Sequence, residues 1–178
     1  MIGDINNLQI DNIADFISVL PISMYIGIIY FGLITNEYIY FKMLGIILFS
    51  TILTDVIKRL PYKSFYYGEY LYKITRRPKG ASNTDYLSKN GECKENSPGF
   101  PSGHMATTSS FSVLMILFFM KRYNLAFSEL VTQRPMIVFI SSILVPFMGW
   151  ARYYKKCHSL LQIIVGTCLG TSIPILLF

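Results

Sequence analysis

With 178 residues, 52% of them hydrophobic, and a mean hydropathy of +0.43, the chain has room for one domain and is richer in apolar side chains than an ordinary water-soluble protein. Its 16 Lys and Arg against 10 Asp and Glu give a net charge of +6. Such a charge would suit a nucleic-acid partner if it lay on one soluble face, but here the bases fall between long apolar runs, which argues against nucleic acid and for a lipid bilayer.

The opening segment MIGDINNLQIDNIAD holds Asp4, Asp11 and Asp15 and no Lys or Arg. It lacks the basic region of a cleaved signal peptide, so the apolar run behind it, Phe16 to Ile34, is expected to stay as the first membrane span. A span needs roughly 20 apolar residues to cross about 30 Å of hydrocarbon. The second run, Met43 to Thr54, is short and reaches that length if it starts at Phe41 and lets Asp55 and Lys58 mark its far end. Residues 58–103 then form a long motif-bearing loop, and loops of that length are functional or disordered. The loop begins with YKSFYYGEYLY, which suits an interfacial helix at headgroup depth, and continues as KGASNTDYLSKNGECKENSPG, which reads as irregular backbone. Met105 to Met120, Pro135 to Trp150 and Ser159 to Phe178 are the remaining spans. Cys93, Cys157 and Cys168 make neither a zinc spacing nor an even disulfide set, and are read as free thiols. The expected fold is all-α: a polytopic membrane helical bundle of about five transmembrane helices, forming a single domain over residues 1–178.

Five crossings put the N-terminus, the 58–103 loop and residues 152–158 on one face. Of the 16 basic residues, only Lys42, Lys121, Arg122 and Arg134 lie opposite. The positive-inside rule makes the crowded face cytoplasmic, although bases that bind a ligand are not free to report orientation.

Three polar stretches meet on that face. Taken singly, TRRPKG is a solvated basic turn, PSGH a capped turn, and RYYKKCH a basic flank outside a span. Together they supply a phosphate chemistry. Ser102 is a good helix N-cap, Gly103 lets backbone approach a ligand closely, and the free N–H groups of a helix start favour an anion. Arg77 and Arg152 offer planar charged forks that match phosphate oxygens, and Lys58 adds a point charge, so a phosphate cage forms without a metal or another cofactor. His158 and Gln162 are spaced i, i+4 at the start of the last span; on a helix they share a face, and the Gln162 carbonyl fixes the tautomer of the ring. The other ring nitrogen is then a lone pair able to attack phosphorus, and His104 is the group that protonates the leaving oxygen and later activates water.

The order of these stretches resembles the type 2 phosphatidic acid phosphatase superfamily of integral membrane lipid phosphatases, whose pattern is Lys-x6-Arg-Pro, Pro-Ser-Gly-His and Ser-Arg-x5-His-x3-Asp. RRP at 76–78, PSGH at 101–104 and ARYYKKCHSLLQ at 151–162 correspond, and the resemblance covers residues 58 to 170. It implies a metal-independent phosphatase or diphosphatase acting on a membrane lipid phosphate, of the phosphatidic acid or polyprenyl diphosphate class, through a phosphohistidine at His158. His104 is then the acid/base, with Arg77, Lys58, Ser102, Gly103 and Arg152 on the phosphate. Three positions depart from the pattern. Tyr70 stands where the first-motif lysine is expected, so that role falls to Lys58, which closes the second span, or to Lys73 or Arg76. Ala151 replaces the usual Ser. Gln162 replaces the Asp that orients the nucleophile, which resembles the dolichyl-diphosphatase and glucose-6-phosphatase branches. The same departures motivate an alternative, a catalytically silent membrane protein that keeps the fold as a lipid-binding or scaffold module. A soluble haloperoxidase with these motifs is at odds with the apolar spans. In the family this face is lumenal or extracytoplasmic, and that orientation is adopted over the count of bases.

Overall fold

A chain in hydrocarbon has to satisfy its backbone hydrogen bonds within itself, and long helices are the way a single run of residues does so. The computed structural model describes residues 2–64, 73–81, 95 and 97–178. In chain order these form α1 (Ile2–Thr35), α2 (Tyr38–Ser64), α3 (Gly103–Tyr123), α4 (Phe127–Gln133), α5 (Pro135–Tyr154) and α6 (Leu160–Leu177). All but α4 are long and apolar enough to cross a membrane, which makes this an all-α, multi-pass membrane protein. The aromatic stretch from Phe65 to Tyr72 and the polar stretch 82–94, with Cys93, lie outside the described residues.

The five spans fall where the charge-free runs place them, with two additions. Helix α1 continues back through the acidic opening segment to Ile2. Helix α4 is a short turn of helix not marked by the sequence, because its N-cap is Ala126, which has no side-chain acceptor; Glu129 instead reaches back to accept from the Ala126 N–H at 2.7 Å.

Helix α3 lies at the centre and touches every other helix. Two apolar clusters form around it. One joins Ile28, Met43, Ile46, Ile47, Leu114, Phe118 and Ile173; the other, nearer the start of α3, joins Ala14, Ile17, Met105, Met148, Ala151 and Ile163. Hydroxyl residues fill the level between them. Ser110 Oγ lies 2.9 Å from both Ser50 Oγ and the Gly170 carbonyl, and Thr107 Oγ1 lies 2.9 Å from Thr51 Oγ1. Phe16, Ile26, Leu33, Ile52, Phe139 and Ile164 stay exposed, as suits side chains facing lipid.

The α3–α6 crossing is a backbone contact. On α6, Gly166 sits against Ser102 and Gly170 against Ala106; a methyl group at Gly170 would meet the Ala106 carbonyl oxygen and come within 2.8 Å of its Cα. Small residues one turn apart let membrane helices approach in this way. Gly170→Ala is therefore expected to destabilise the fold by roughly 1–3 kcal/mol or more, the cost of overpacking. Gly27→Ala and Gly45→Ala, where nothing lies within 4 Å of the added methyl, should leave stability nearly unchanged. Thermal unfolding in detergent reads the difference, and equal midpoints for all three variants would contradict it.

Candidate active site

The third motif owes its spacing to a closed turn. Arg152 stands in the last turn of α5, and its carbonyl accepts from the N–H of Cys157 (3.0 Å) and of His158 (3.3 Å). Between them Lys156 takes φ 54°, the left-handed conformation that reverses the chain. One residue after His158, Ser159 caps α6: its Oγ accepts from the Gln162 N–H at 3.4 Å, and Gln162 Oε1 accepts from the Ser159 N–H at 3.2 Å. This is a capping box, with Gln162 as its third-position residue. His158 thus precedes the helix rather than sharing a helical face with Gln162 as expected; the cap, not the helical repeat, brings the two side chains together.

Gln162 is fully buried and uses every polar atom it has. Its Nε2 donates to the carbonyls of Ile74 (2.9 Å) and Arg76 (2.8 Å), which settles which end of the amide is which. Its Oε1 therefore faces Nδ1 of His158 at 3.2 Å, and its backbone carbonyl accepts from the Ser102 N–H at 3.1 Å. One residue ties the first-motif segment, the second-motif turn and the third-motif segment at a single point. An aspartate or glutamate has no N–H to offer Ile74 and Arg76. Sequence reading saw the acceptor half of this amide and missed the donor half, because its partners are backbone carbonyls that leave no side-chain signature.

Gly99 is the other residue the sequence did not single out. Its carbonyl lies 2.9 Å from His158 Nδ1, so that nitrogen faces two acceptors, Gly99 O and Gln162 Oε1, and carries the ring proton. Nε2 is left as the lone pair. A Cβ at Gly99 would come within 2.8 Å of both Arg77 Cγ and Gln162 Oε1, so only glycine fits there. Gly99 is held by its own N–H, which donates to Thr75 at 2.9 Å, while the Arg77 N–H donates to Ser97 at 3.0 Å; together they make the small bridge that pairs residues 75–77 with 97–99. Arg77 Nε donates to Pro98 O at 3.3 Å, fixing the side chain as well.

Ser102 is the N-cap of α3 and accepts from the Met105 N–H at 3.5 Å, with Gly103 and His104 as the first helical residues. Lys58, near the end of α2, brings its ammonium to 3.6 Å from where a Gly103 Cβ would stand, and pairs with Asp55 at 3.1 Å. Of the three candidates for the first-motif cation, Lys58 is at the α3 start; Lys73 is exposed, and Arg76 enters through its backbone carbonyl. Arg77 and Arg152 are both buried.

Burial is the main force that holds the His158 imidazole well below its usual pKa, and the charges of Arg152, Arg77 and His104 push the same way, against the hydrogen bond to Gln162. A neutral ring with its lone pair near cations has the chemistry a nucleophile needs to meet an anion. At Lys155 burial also pulls the pKa down, but hydrogen bonds and charge from Asp11 and Asp15 outweigh it and hold the ammonium above its usual value. Among the described residues no group of three or more His, Cys, Asp or Glu is arranged to hold a metal ion.

No curated protein and no solved structure matches the chain. A family model does, over residues 39–178, which include α2 to α6 and all three motif segments gathered around His158. By that match the chain belongs to the PAP2 superfamily, whose members are generally phosphatases.

Proposed function

We propose that the protein is a metal-independent lipid phosphatase or diphosphatase of the dolichyl-diphosphatase-like kind, hydrolysing a phosphate monoester or diphosphate whose acyl or prenyl tail stays in the bilayer. Nε2 of His158 attacks phosphorus; an N–P bond forms as the P–O bond to the lipid breaks, and His104 as imidazolium gives its proton to the leaving oxygen. Positive charge that develops on the His158 ring meets two carbonyl oxygens, those of Gly99 and Gln162. His104, now neutral, takes a proton from a water whose oxygen attacks phosphorus, the N–P bond breaks, and inorganic phosphate leaves. Arg77, Arg152, Lys58 and the α3 start at Ser102 and Gly103 stabilise charge on the phosphoryl oxygens, an electrostatic role that accounts for most phosphoryl-transfer catalysis.

The observation that carries this reading is the orientation of His158, a buried neutral ring whose Nδ1 is committed to Gly99 and Gln162 while Arg77, Arg152 and His104 act on it. An apolar groove between α1 and α5, lined by Ile13, Ile17, Ile143, Pro146, Phe147 and Trp150, suits a lipid tail. The site is assigned to the lumenal or extracytoplasmic face.

The test is a phosphoenzyme trap in detergent with EDTA, using labelled phosphatidic acid and a labelled polyprenyl diphosphate. Label bound through an acid-labile, alkali-stable linkage, with release of phosphate, is the expected result. Neither label nor release from any lipid phosphate would instead leave a silent lipid-binding scaffold, the reading that neutral Gln162 in place of an aspartate favours. In sealed right-side-out vesicles, Cys93 should react with an impermeant thiol reagent before lysis; reaction only after lysis reverses the orientation.

A further inference from the structure

Helix α1 lies outside the residues that match the family, yet one of its faces is built into the site. Asp11, Asp15 and Ser18 follow the i, i+4, i+7 spacing that lines up one side of a helix. Ser18 Oγ donates to the Ala14 carbonyl at 2.9 Å, which commits its only proton and turns a lone pair outward; Arg152 Nη1 donates to it at 3.3 Å. Both residues are buried, at 2% and 1% exposure. One turn earlier, the Lys155 ammonium lies 3.1 Å from Asp11 Oδ1 and 3.1 Å from Asp15 Oδ1. Lys155 belongs to the turn closed by the Arg152 carbonyl on Cys157 and His158, so its ion pairs fasten that turn to α1. Ala14 and Ile17 pack with Met148 and Ala151 along the same seam.

We propose that this face of α1 is a positioning element of the phosphate site, in which Ser18 aims the Arg152 fork and Asp11 with Asp15, acting through Lys155, holds the turn that carries His158. The inference rests on the reading of Arg152 as a phosphate ligand and His158 as the nucleophile. An arginine has five N–H donors on a planar fork, and its phosphate recognition depends on how that plane is turned. A buried acceptor on one nitrogen helps to set the plane before substrate arrives. The acidic pair does a different job, since its ion pairs are to Lys155 and its effect reaches His158 through the turn. The two halves therefore separate: Ser18 governs phosphate binding, and the acidic pair governs the approach of His158 to phosphorus.

The full chain in detergent is titrated with inorganic phosphate by calorimetry, and phosphate release from the lipid substrate is followed in parallel. Ser18→Ala is expected to weaken phosphate binding about tenfold, the loss of one hydrogen bond to a charged group. Its unfolding midpoint without phosphate should stay near that of the parent. Asp11→Asn with Asp15→Asn, which keeps both shapes, should leave phosphate affinity within about threefold and lower kcat about tenfold, since a 1 Å misplacement can cost more than that. Parent-like phosphate affinity in Ser18→Ala, or binding and turnover that fall together in the Asn pair, overturns the proposal. Should Ser18→Ala not fold, Ser18→Cys keeps the volume without a strong acceptor and carries the same expectation. If the parent chain itself binds no phosphate, it is the phosphatase reading that fails.

Discussion

Gln162→Glu, a change toward the carboxylate of the family pattern, is expected to lower kcat/KM by at least about 10²-fold rather than to improve it. Glutamate has the shape of glutamine, so the substitution places an oxygen where Nε2 donates to Ile74 and Arg76. Two part-buried carbonyls lose their donors, at roughly 1–3 kcal/mol each, and face a carboxylate oxygen instead. The segment 74–77 has to move away, and Arg77 moves with it. A fall of several degrees in the unfolding midpoint should accompany the loss of activity. The pH profile gives a separate signature. His158 is held neutral below its usual pKa, so in the parent the acid limb of kcat/KM due to the nucleophile lies below the ordinary histidine range. A carboxylate beside Nδ1 stabilises the imidazolium, so the activity that survives in Gln162→Glu should lose its acid side at higher pH. Activity at or above the parent's would show that the amide donors do not matter.

His158→Ala and His104→Ala should fail in different ways. Without His158 no N–P bond can form, so both the trapped label and turnover should disappear, a loss of about 10⁴-fold or more. Without His104 the first step still runs if the leaving group needs no proton. With an aryl phosphate, His104→Ala should therefore form the phosphoenzyme and accumulate it, because the water that would discharge it has lost its base; turnover falls by about 10²–10⁴-fold. Stopped turnover with label still trapped in His158→Ala would place the nucleophile elsewhere. Equal label in both variants would remove the distinction between the two roles.

What the sequence made legible follows from how local each signal is. Charge-free runs bounded by Arg134, Arg152, Asp55 and Lys58 mark spans, because the cost of a charge in hydrocarbon depends on little beyond the run itself. Ser102 is readable as a cap for the same reason. The donor half of Gln162 and the carbonyl of Gly99 were not readable, since each contact joins a side chain to a backbone carbonyl more than 50 residues away in the chain. The opening acidic segment was read for the basic residues it lacks; that Asp11 and Asp15 answer Lys155 is a tertiary fact that only the packing of α1 on α5 reveals. The pairing of His158 with Gln162 was anticipated from helical spacing and arises from a capping box, two geometries that place the same side chains together.

The glycine contacts of α6 on α3 bear on how the protein meets membranes of different thickness. Helices that touch through side chains can slide as rotamers change, whereas Gly166 on Ser102 and Gly170 on Ala106 join backbone to backbone at two points one turn apart. The pair therefore tilts as one body when hydrophobic mismatch is imposed, and the adjustment is taken up by the outer helices and by lipid. Since Ser102 and His104 begin one of these helices and His158 and Gln162 lead into the other, the distances among them ride along unchanged. What a thicker or thinner bilayer alters is the depth of the site relative to the headgroups, and KM rather than kcat is the constant that registers it.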